Sequence, residues 1–185
     1  MLLALALLQP VQQLDDAVQA AVQAHRTPAL DRLMQAATNL GRRDLVAGAL
    51  LGVAVLDPVA GPAVARLAIV GLAGTNLVVQ ALKLATNRTR PDGAHDRSNS
   101  SFPSSHAASA VCLAWIFARR WPRLRVVLWL AALVVAWSRV HLNRHYLSDV
   151  AGGAGIGLLC TWALFQVRAL DPRAGREIGA SDPVP

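Results

Sequence analysis

The sequence predicts an all-α integral membrane protein, and three observations support that fold class. Of its 185 residues, 54% are hydrophobic and only 16% are charged, whereas about a quarter of the residues in a soluble domain are charged. The mean hydropathy is positive, at +0.39. The cations fall in short gaps between apolar runs, as in membrane proteins, rather than on one exposed face. Despite a formal net charge of +7, we therefore expect a membrane bundle and no nucleic-acid partner.

The first 41 residues predict two amphipathic helices at the membrane interface. Apolar side chains recur at helical spacing over 11–22 and again over 30–40, with Gln and Asp between them in the first run. Thr27 followed by Pro28 is typical of an N-cap and a first helical position. Such helices suit the interface, and the apolar residues 1–8 could extend the first of them into a partial span.

Five apolar runs within residues 42–168 predict the membrane bundle itself. Two have 20 and 18 residues, close to the ~20 that cross a bilayer, and the other three have 12 residues and nearly uncharged flanks. Counting the N-terminal partial span, we expect five to six transmembrane helices. Residues 169–185 are rich in Pro, Gly and charge and predict a mobile tail. The runs are 45–56, 63–82, 107–118, 126–137 and 150–167.

Arginines mark one face of the predicted bundle as cytoplasmic. If 63–82 ends on one face, the chain turns on the opposite face at 119–125, where four arginines occur, and the C-terminal tail adds three more there. Positive residues accumulate in cytoplasmic loops. The polar segments 83–102 and 138–149 then lie on the extracytoplasmic face, and we expect the membrane to be a bacterial cytoplasmic membrane.

Three polar clusters meet on that extracytoplasmic face. The first holds a lysine and an arginine, the second places two serines before a histidine at the start of a membrane helix, and the third joins the last two helices. They are Lys83-x6-Arg90-Pro91, Pro103-Ser104-Ser105-His106 and Ser138-Arg139-x5-His145-x3-Asp149. Cations, hydroxyls and histidines on one membrane face indicate chemistry on an anion.

The cations and the helix start suit a phosphate group. Phosphoryl transfer spreads negative charge over three oxygens in the transition state, and Lys83, Arg90 and Arg139 would supply the counter-charge. The two guanidinium groups can bind oxygens in a bidentate fork. A helix that starts near Ser104 points backbone N–H groups at the same anion. We expect no metal and no other cofactor, because the cations would do a metal's electrostatic work.

The histidines and the carboxylate suit a covalent mechanism. His145 and Asp149 are spaced i, i+4 and share one face if the segment is helical. A carboxylate bonded to one ring nitrogen sets the tautomer and leaves the other nitrogen free to attack phosphorus. His106 is then available to protonate the leaving oxygen.

The three clusters resemble the signature motifs of the type 2 phosphatidic acid phosphatase superfamily, which are Lys-x6-Arg-Pro, Pro-Ser-Gly-His and Ser-Arg-x5-His-x3-Asp. The second departs from the pattern, because Ser105 stands where the family usually has glycine. The resemblance implies a helical bundle, a phosphohistidine intermediate on His145 with Asp149 as its orienter, and His106 as the acid. It also implies phosphate-binding roles for Lys83, Arg90, Ser104, Ser105 and Arg139.

Other functions stay open beside this one. A vanadium-dependent haloperoxidase would hold vanadate with the same residues, although those enzymes are soluble and much larger. A lipid-binding or transport protein would keep the pocket without turnover. A metal row on His141, His145 and Asp149 is a weaker alternative, because Leu142 stands where a zincin motif needs Glu.

The membrane setting predicts a lipid phosphate as the substrate, with phosphatidate, phosphatidylglycerophosphate and undecaprenyl diphosphate as candidates. The oligomeric state stays open. We expect Arg88, Arg97 and Arg144 to be solvated or to contact headgroups, with a diphosphate as their alternative ligand. We expect Asn76 and Gln80 to hydrogen-bond between helices, a pocket role being the alternative.

Overall fold

The computed structural model describes residues 2–96 and 99–167, and its regular structure is helical. The predicted all-α bundle is therefore confirmed. Arg97 and the predicted mobile tail at 169–185 lie outside the described ranges, as do the three arginines that the C-terminal segment adds. The helices are α1 (Leu2–Ala24), α2 (Pro28–Asn39), α3 (Arg43–Leu56), α4 (Gly61–Thr86), α5 (Ser105–Arg120), α6 (Arg125–His141) and α7 (Leu147–Gln166).

Three segments of the described chain are long and apolar enough to cross a bilayer. They are α4 with 26 residues, α7 with 20, and α6 together with the short 3-10 turn before it, Pro122–His141. The helices α3 and α5 are shorter, with 14 and 16 residues. The short α5 lies in the middle of the bundle, against α4, α6 and α7. Length and composition thus support three of the five to six membrane helices that the sequence predicts.

Glycines on α7 allow it to lie directly against the backbone of α5. A Cβ on Gly157 would come within 2.5 Å of the Ala108 carbonyl oxygen, and a Cβ on Gly153 would overlap the backbone of Ser104. At this close approach the Ser104 N–H donates to the Asp149 carbonyl oxygen at 3.0 Å. The packing of α7 on α5 therefore joins the second polar cluster to the third.

The first helix packs with polar side chains turned toward the bundle. Asp15 and Gln19 are only 1% and 8% exposed, whereas Leu14 is 56% exposed. Val18 and Val22 pack against the buried cluster formed by α5, α6 and α7. The polar face of the amphipathic helix α1 therefore packs against the other helices of the bundle. The location of α1 and α2 at the membrane interface stays a prediction.

The second helix begins where its sequence predicts and packs against α6. The Thr27 hydroxyl caps it by accepting from the Leu30 N–H at 3.3 Å, and Pro28 occupies the first turn. Near its end, Thr38 is buried and faces α6. The α2 helix therefore closes one side of the bundle near the third polar cluster.

The arginine-rich turn and the polar clusters lie at opposite ends of the bundle. The α5 helix begins in the second cluster and ends at Arg120, and α6 returns from Arg125 to the third cluster. At the arginine end, Arg120 Nη2 contacts Asp57 Oδ2 at 2.6 Å, which ties the turn to the α3–α4 connection. The fold therefore keeps the three polar clusters together at one end.

Candidate active site

A cavity of about 1030 Å³ opens at the end of the bundle where the polar clusters meet. Residues from all three clusters line it, and two predicted site residues, Ser104 and Asp149, are fully buried beside it. The spacing of the motifs thus leads to one continuous site. The motif residues that line the cavity are Lys83, Arg90, Ser105, His106, Arg139 and His145.

The first cluster places its two cations at the end of α4 and in the loop that follows. Lys83 is 3% exposed, and its Nζ donates to the Ser100 carbonyl oxygen at 2.5 Å. Arg90 donates to the carbonyl oxygens of Asn99 and Arg144 at 3.0–3.3 Å. Burial, followed by the nearby Arg144 guanidinium, lowers the pKa of Arg90. Neither cation is neutralised by these neutral acceptors, so both keep their charge for a ligand.

The third cation, Arg139, has an unsatisfied donor beside the cavity. Its Nη1 donates to the Thr38 hydroxyl on α2 at 2.7 Å. Its Nε is buried and finds no hydrogen-bond partner among the described residues. A buried donor without an acceptor costs free energy. The guanidinium lines the cavity and pairs with no carboxylate among the described residues, so its charge is available to a ligand.

The second cluster forms the N-terminus of α5. The Ser104 side chain caps the helix by accepting from the Ala107 N–H at 3.5 Å. Ser105 is the first helical residue, and among described non-glycine residues only Asn87 and Asn143 have positive φ. Serine therefore fits the backbone here without the freedom of glycine.

His106 follows in the first turn of α5 and lines the cavity. The α2–α3 connection passes close to it at Gly41, where a Cβ would lie 2.9 Å from the His106 Cδ2. Glycine at that position leaves room for the imidazole at the cavity wall.

His145 lies before α7 rather than within a helix, so the condition attached to its i, i+4 spacing is not met. Its Nδ1 lies 2.7 Å from the Ser101 carbonyl oxygen and 3.7 Å from Asp149 Oδ2. A carbonyl oxygen can only accept, so Nδ1 carries the proton and the Nε2 lone pair is left for the cavity. Burial above all lowers the pKa of His145 to about 4, which keeps the imidazole neutral at physiological pH.

Asp149 supports His145 through shared partners as well as through proximity. Its Oδ2 accepts from the Ser101 hydroxyl at 2.5 Å and from the Tyr146 N–H at 2.8 Å. Ser101 thus holds the carboxylate with its hydroxyl and the imidazole with its carbonyl oxygen. Sequence reasoning missed Ser101, because it stands two residues before the second motif and belongs to none of the three.

Arg88 is the second residue that the sequence analysis missed, and the expectation that it is solvated or contacts headgroups is wrong. Its guanidinium donates to Asp149 Oδ1 at 2.7 Å, Ser148 Oγ at 2.7 Å and Asp15 Oδ2 at 2.8 Å, and it stacks on the Tyr146 ring at 4.3 Å. Asp15 also accepts from the Ser148 N–H at 2.8 Å. The α1 helix therefore reaches the back of the active-site carboxylate.

The alternative metal row is not assembled among the described residues. The Nε2 of His141 lies 2.8 Å from Asp31 on α2, away from the row with His145 and Asp149, because α6 ends at His141. Arg144 lines the cavity but pairs with Asp92 at 2.8 Å and stays half exposed. The predicted interhelical role of Asn76 is confirmed by its 3.1 Å bond to Ser109 on α5.

Comparison with known proteins shows the family to which the chain belongs. The profile of the PAP2 superfamily, which is the type 2 phosphatidic acid phosphatase superfamily, matches residues 64–172. Phosphatidylglycerophosphatase B of Bacillus subtilis (strain 168) is 32% identical, over 90% of this chain and 87% of that protein. A lipid A 1-phosphatase of Porphyromonas gingivalis is 37% identical over a shorter stretch, 48% of this chain and 20% of that protein.

Solved structures show the same fold. The crystal structure of a transmembrane PAP2-type phosphatidylglycerolphosphate phosphatase from Bacillus subtilis superposes with a TM-score of 0.72 at 25% identity, covering 86% of this chain and 87% of that one. Aquifex aeolicus LpxE superposes with a TM-score of 0.72 at 22% identity, covering 81% and 93%. Together with the profile match over more than half of the sequence, these likenesses show that the chain belongs to the PAP2 superfamily and is a membrane phosphatase.

Proposed function

We propose that the protein removes the terminal phosphate from a lipid phosphate or diphosphate through a phosphohistidine intermediate on His145. The observation that carries this proposal is the meeting of three cations and a neutral histidine around one cavity. Lys83, Arg90 and Arg139 line that cavity together with His145, whose Nδ1 is occupied. A tetrahedral dianion bound there would meet positive charge on several sides and a nitrogen lone pair on another.

In the first step, Nε2 of His145 attacks phosphorus and the bond from phosphorus to the lipid oxygen breaks. A phosphate dianion bound beside His106 favours its protonated form, and His106 donates that proton to the leaving oxygen, so the lipid leaves as a neutral alcohol. The imidazole then carries a positive charge, with its Nδ1–H still bonded to the Ser101 carbonyl oxygen. The Asp149 carboxylate, 3.7 Å from that nitrogen, stabilises the new charge.

In the second step, a water molecule attacks the phosphohistidine. His106, now neutral, accepts a proton from the water, and the bond between Nε2 and phosphorus breaks. Inorganic phosphate leaves, and His145 and His106 return to their starting protonation states. The three cations stabilise the charge on the equatorial oxygens in both steps.

The substrate that the relatives favour is phosphatidylglycerophosphate. The Bacillus subtilis relative that matches most of this chain is named for that activity, and the lipid A phosphatases match over less of it. Phosphatidate and undecaprenyl diphosphate are the other candidates, and a direct comparison of rates separates the three.

The first experiment measures phosphate release in detergent with EDTA, from each of the three lipids, for the wild type and His145→Ala. We expect metal-independent release that the substitution lowers by at least about 1,000-fold, because the nucleophile is lost. The matched control is His95→Ala, an exposed histidine of the same polar region. Release from His145→Ala at the wild-type rate would refute the covalent mechanism, and the absence of release from all three lipids would favour a binding protein.

We further propose that the active site faces the extracytoplasmic side of a bacterial cytoplasmic membrane. The arginine turn at 119–125 supports this orientation through the positive-inside bias. In a variant with Cys112 and Cys160 replaced by alanine, a cysteine at Arg123 should resist a membrane-impermeant maleimide in intact cells, and a cysteine at His95 should react. The reverse labelling pattern would overturn the orientation.

A further inference from the structure

We propose that three polar side chains below the phosphate site form a second subsite, which binds the glycerol and ester oxygens of a glycerolipid substrate. They are Asn76 and Gln80 on α4 and Ser109 on α5, and we call them the polar layer. The proposal rests on the lipid phosphatase function proposed above and narrows its substrate class to lipids with polar linkages next to the phosphate.

The polar layer lies directly beneath the residues assigned to the phosphate. Gln80 and Asn76 precede Lys83 by three and seven residues, which places the three on one face of α4. At 1.5 Å per residue they lie about 5 and 10 Å deeper than Lys83. Ser109 lies one turn beyond His106 on α5, and all five residues line the same cavity.

The contacts within the layer leave hydrogen-bonding capacity for a ligand. Asn76 Nδ2 donates to the Leu72 carbonyl oxygen at 2.8 Å and to Ser109 Oγ at 3.1 Å. The carbonyl acceptor fixes which end of the amide is the nitrogen. Asn76 Oδ1 accepts no hydrogen bond from the described residues, and the Ser109 hydroxyl still has its own proton to donate. The layer thus offers the cavity one acceptor and one donor.

Beyond the layer, the cavity becomes apolar. Its deeper wall consists of aliphatic side chains from α3 and α4, among them Val46, Leu50 and Leu72. The lining therefore changes from charged to polar to apolar along the depth of the bundle. Phosphatidate has the same order, with its phosphate, then its glycerol and ester oxygens, then its acyl chains.

This order distinguishes the two lipid classes that remain as substrates. A polar group at membrane depth is costly unless it finds a partner. In phosphatidate, the ester carbonyls would accept from Ser109. In phosphatidylglycerophosphate, the free hydroxyl of the terminal glycerol would donate to Asn76. A prenyl diphosphate has only hydrocarbon beyond its phosphates, so it would bury the layer without partners.

The test compares diacyl phosphatidate with its dialkyl ether analogue, which has the same phosphate but lacks the ester carbonyls. Both are assayed in mixed micelles, and each kcat/KM is divided by the kcat/KM of the same variant for p-nitrophenyl phosphate. We expect the wild type to prefer the diacyl lipid by about 5- to 10-fold, the effect of one or two hydrogen bonds. Ser109→Ala should bring that ratio close to one. Asn76→Leu should do the same, because it removes the Nδ2 donor that orients the Ser109 hydroxyl.

The matched control is Thr75→Val, one residue from Asn76 on α4. Thr75 is fully buried, and the residues described as lining the cavity do not include it, so the wild-type ratio should persist. A diacyl preference that survives both Ser109→Ala and Asn76→Leu would overturn the polar layer. So would a wild type that hydrolyses farnesyl diphosphate as fast as diacyl phosphatidate.

The same experiment separates this proposal from the one on which it rests. If p-nitrophenyl phosphate is hydrolysed and His145→Ala abolishes that activity, the phosphatase chemistry stands whatever the ratio of the two lipids. If His145→Ala leaves p-nitrophenyl phosphate hydrolysis intact, the proposed chemistry fails, and the lipid ratio no longer reports on this site.

Discussion

Arg88 and Arg90 are two residues apart, and they face opposite sides of the active site. Arg90 lines the cavity and donates to carbonyl and amide oxygens of Asn99 and to the Arg144 carbonyl oxygen. Arg88 turns away from it and binds the carboxylates of Asp15 and Asp149. The acceptors of Arg90 are neutral, whereas those of Arg88 include two carboxylates.

The same difference separates the pocket cations as a group from the side chains behind them. In the described part of the chain, Lys83 and Arg139 also donate only to carbonyl, amide and hydroxyl oxygens. Because neutral acceptors orient a cation without cancelling its charge, these residues remain available to a phosphate. Behind the pocket, the charge of Arg88 is cancelled by two buried carboxylates. A cation's partners thus indicate whether it serves the substrate or the scaffold.

Exchanging each arginine for methionine should separate these two roles and produce the largest effect. Arg88→Met leaves Asp15 and Asp149, which are 1% and 0% exposed, without their counter-charge. The resulting displacement of Asp149 and His145 should lower kcat by about 100-fold. The inhibition constant for inorganic phosphate should stay within about threefold of the wild type. Arg90→Met should instead weaken phosphate inhibition by at least about tenfold.

Two further variants serve as controls for the comparison of Arg88→Met with Arg90→Met. Asp15→Asn keeps an acceptor for the Ser148 N–H but removes one charge, so its loss in kcat should be smaller, about tenfold. Arg32→Met, at an exposed position on α2, should change nothing. If Arg88→Met weakened phosphate inhibition as much as Arg90→Met does, the division between pocket and support would be wrong.

The acid limb of the pH–rate profile should show the consequence of burying His145. The expected effect is smaller than that of the arginine substitutions. Since burial lowers the pKa of His145 to about 4, the neutral nucleophile persists as pH falls, and protonation removes it only near pH 4. p-Nitrophenolate is a stable anion that leaves without the proton of His106. After correction for the second ionisation of the substrate near pH 6, kcat/KM for p-nitrophenyl phosphate should therefore be flat between about pH 5 and 7.

The pH–rate profile of Arg88→Met tests whether Arg88, behind the pocket, affects the pKa of His145 inside it. In Arg88→Met the unpaired Asp149 carboxylate would stabilise the protonated imidazole, so the acid limb should move upward, toward the ordinary histidine pKa of about 6.5. A wild-type limb already near pH 6.5, or a limb that does not move in the variant, would contradict the geometry described for His145.

The pocket residues could be predicted from the sequence because each motif is short. Residues only four or seven positions apart stay near each other even without a continuous helix, as His145 and Asp149 do at 3.7 Å. Charge and side-chain chemistry then indicate the ligand. The all-α membrane fold was equally accessible, because it follows from composition and from the length of the apolar runs.

The residues that support the pocket from behind could not be predicted from the sequence in that way. Asp15 and Arg88 are separated by 73 residues, and their pairing depends on how α1 packs across α6 and α7. The polar face of α1 carries the same pattern whether it meets headgroups or a protein surface. Ser101 is a further case, since its hydroxyl and carbonyl oxygen act together only once Ser101 lies against Asp149 and His145.

The smallest effect should come from Ser105→Gly, which restores the usual family residue. Ser105 already has a helical backbone at the start of α5, so glycine adds freedom that the pocket does not need. We expect kcat/KM to change by less than about threefold and the melting temperature to fall slightly, since glycine costs a helix about 1 kcal/mol.

Ser104→Ala is the matched comparison for that variant, because it removes the cap of the same helix and should destabilise the protein by about 1 kcal/mol. If Ser105→Gly instead raised kcat/KM tenfold, the serine side chain would be obstructing the phosphate. The pocket would then be narrower than that of relatives with glycine. The second motif would then be a place where this chain restricts its substrate, in addition to the polar layer below it.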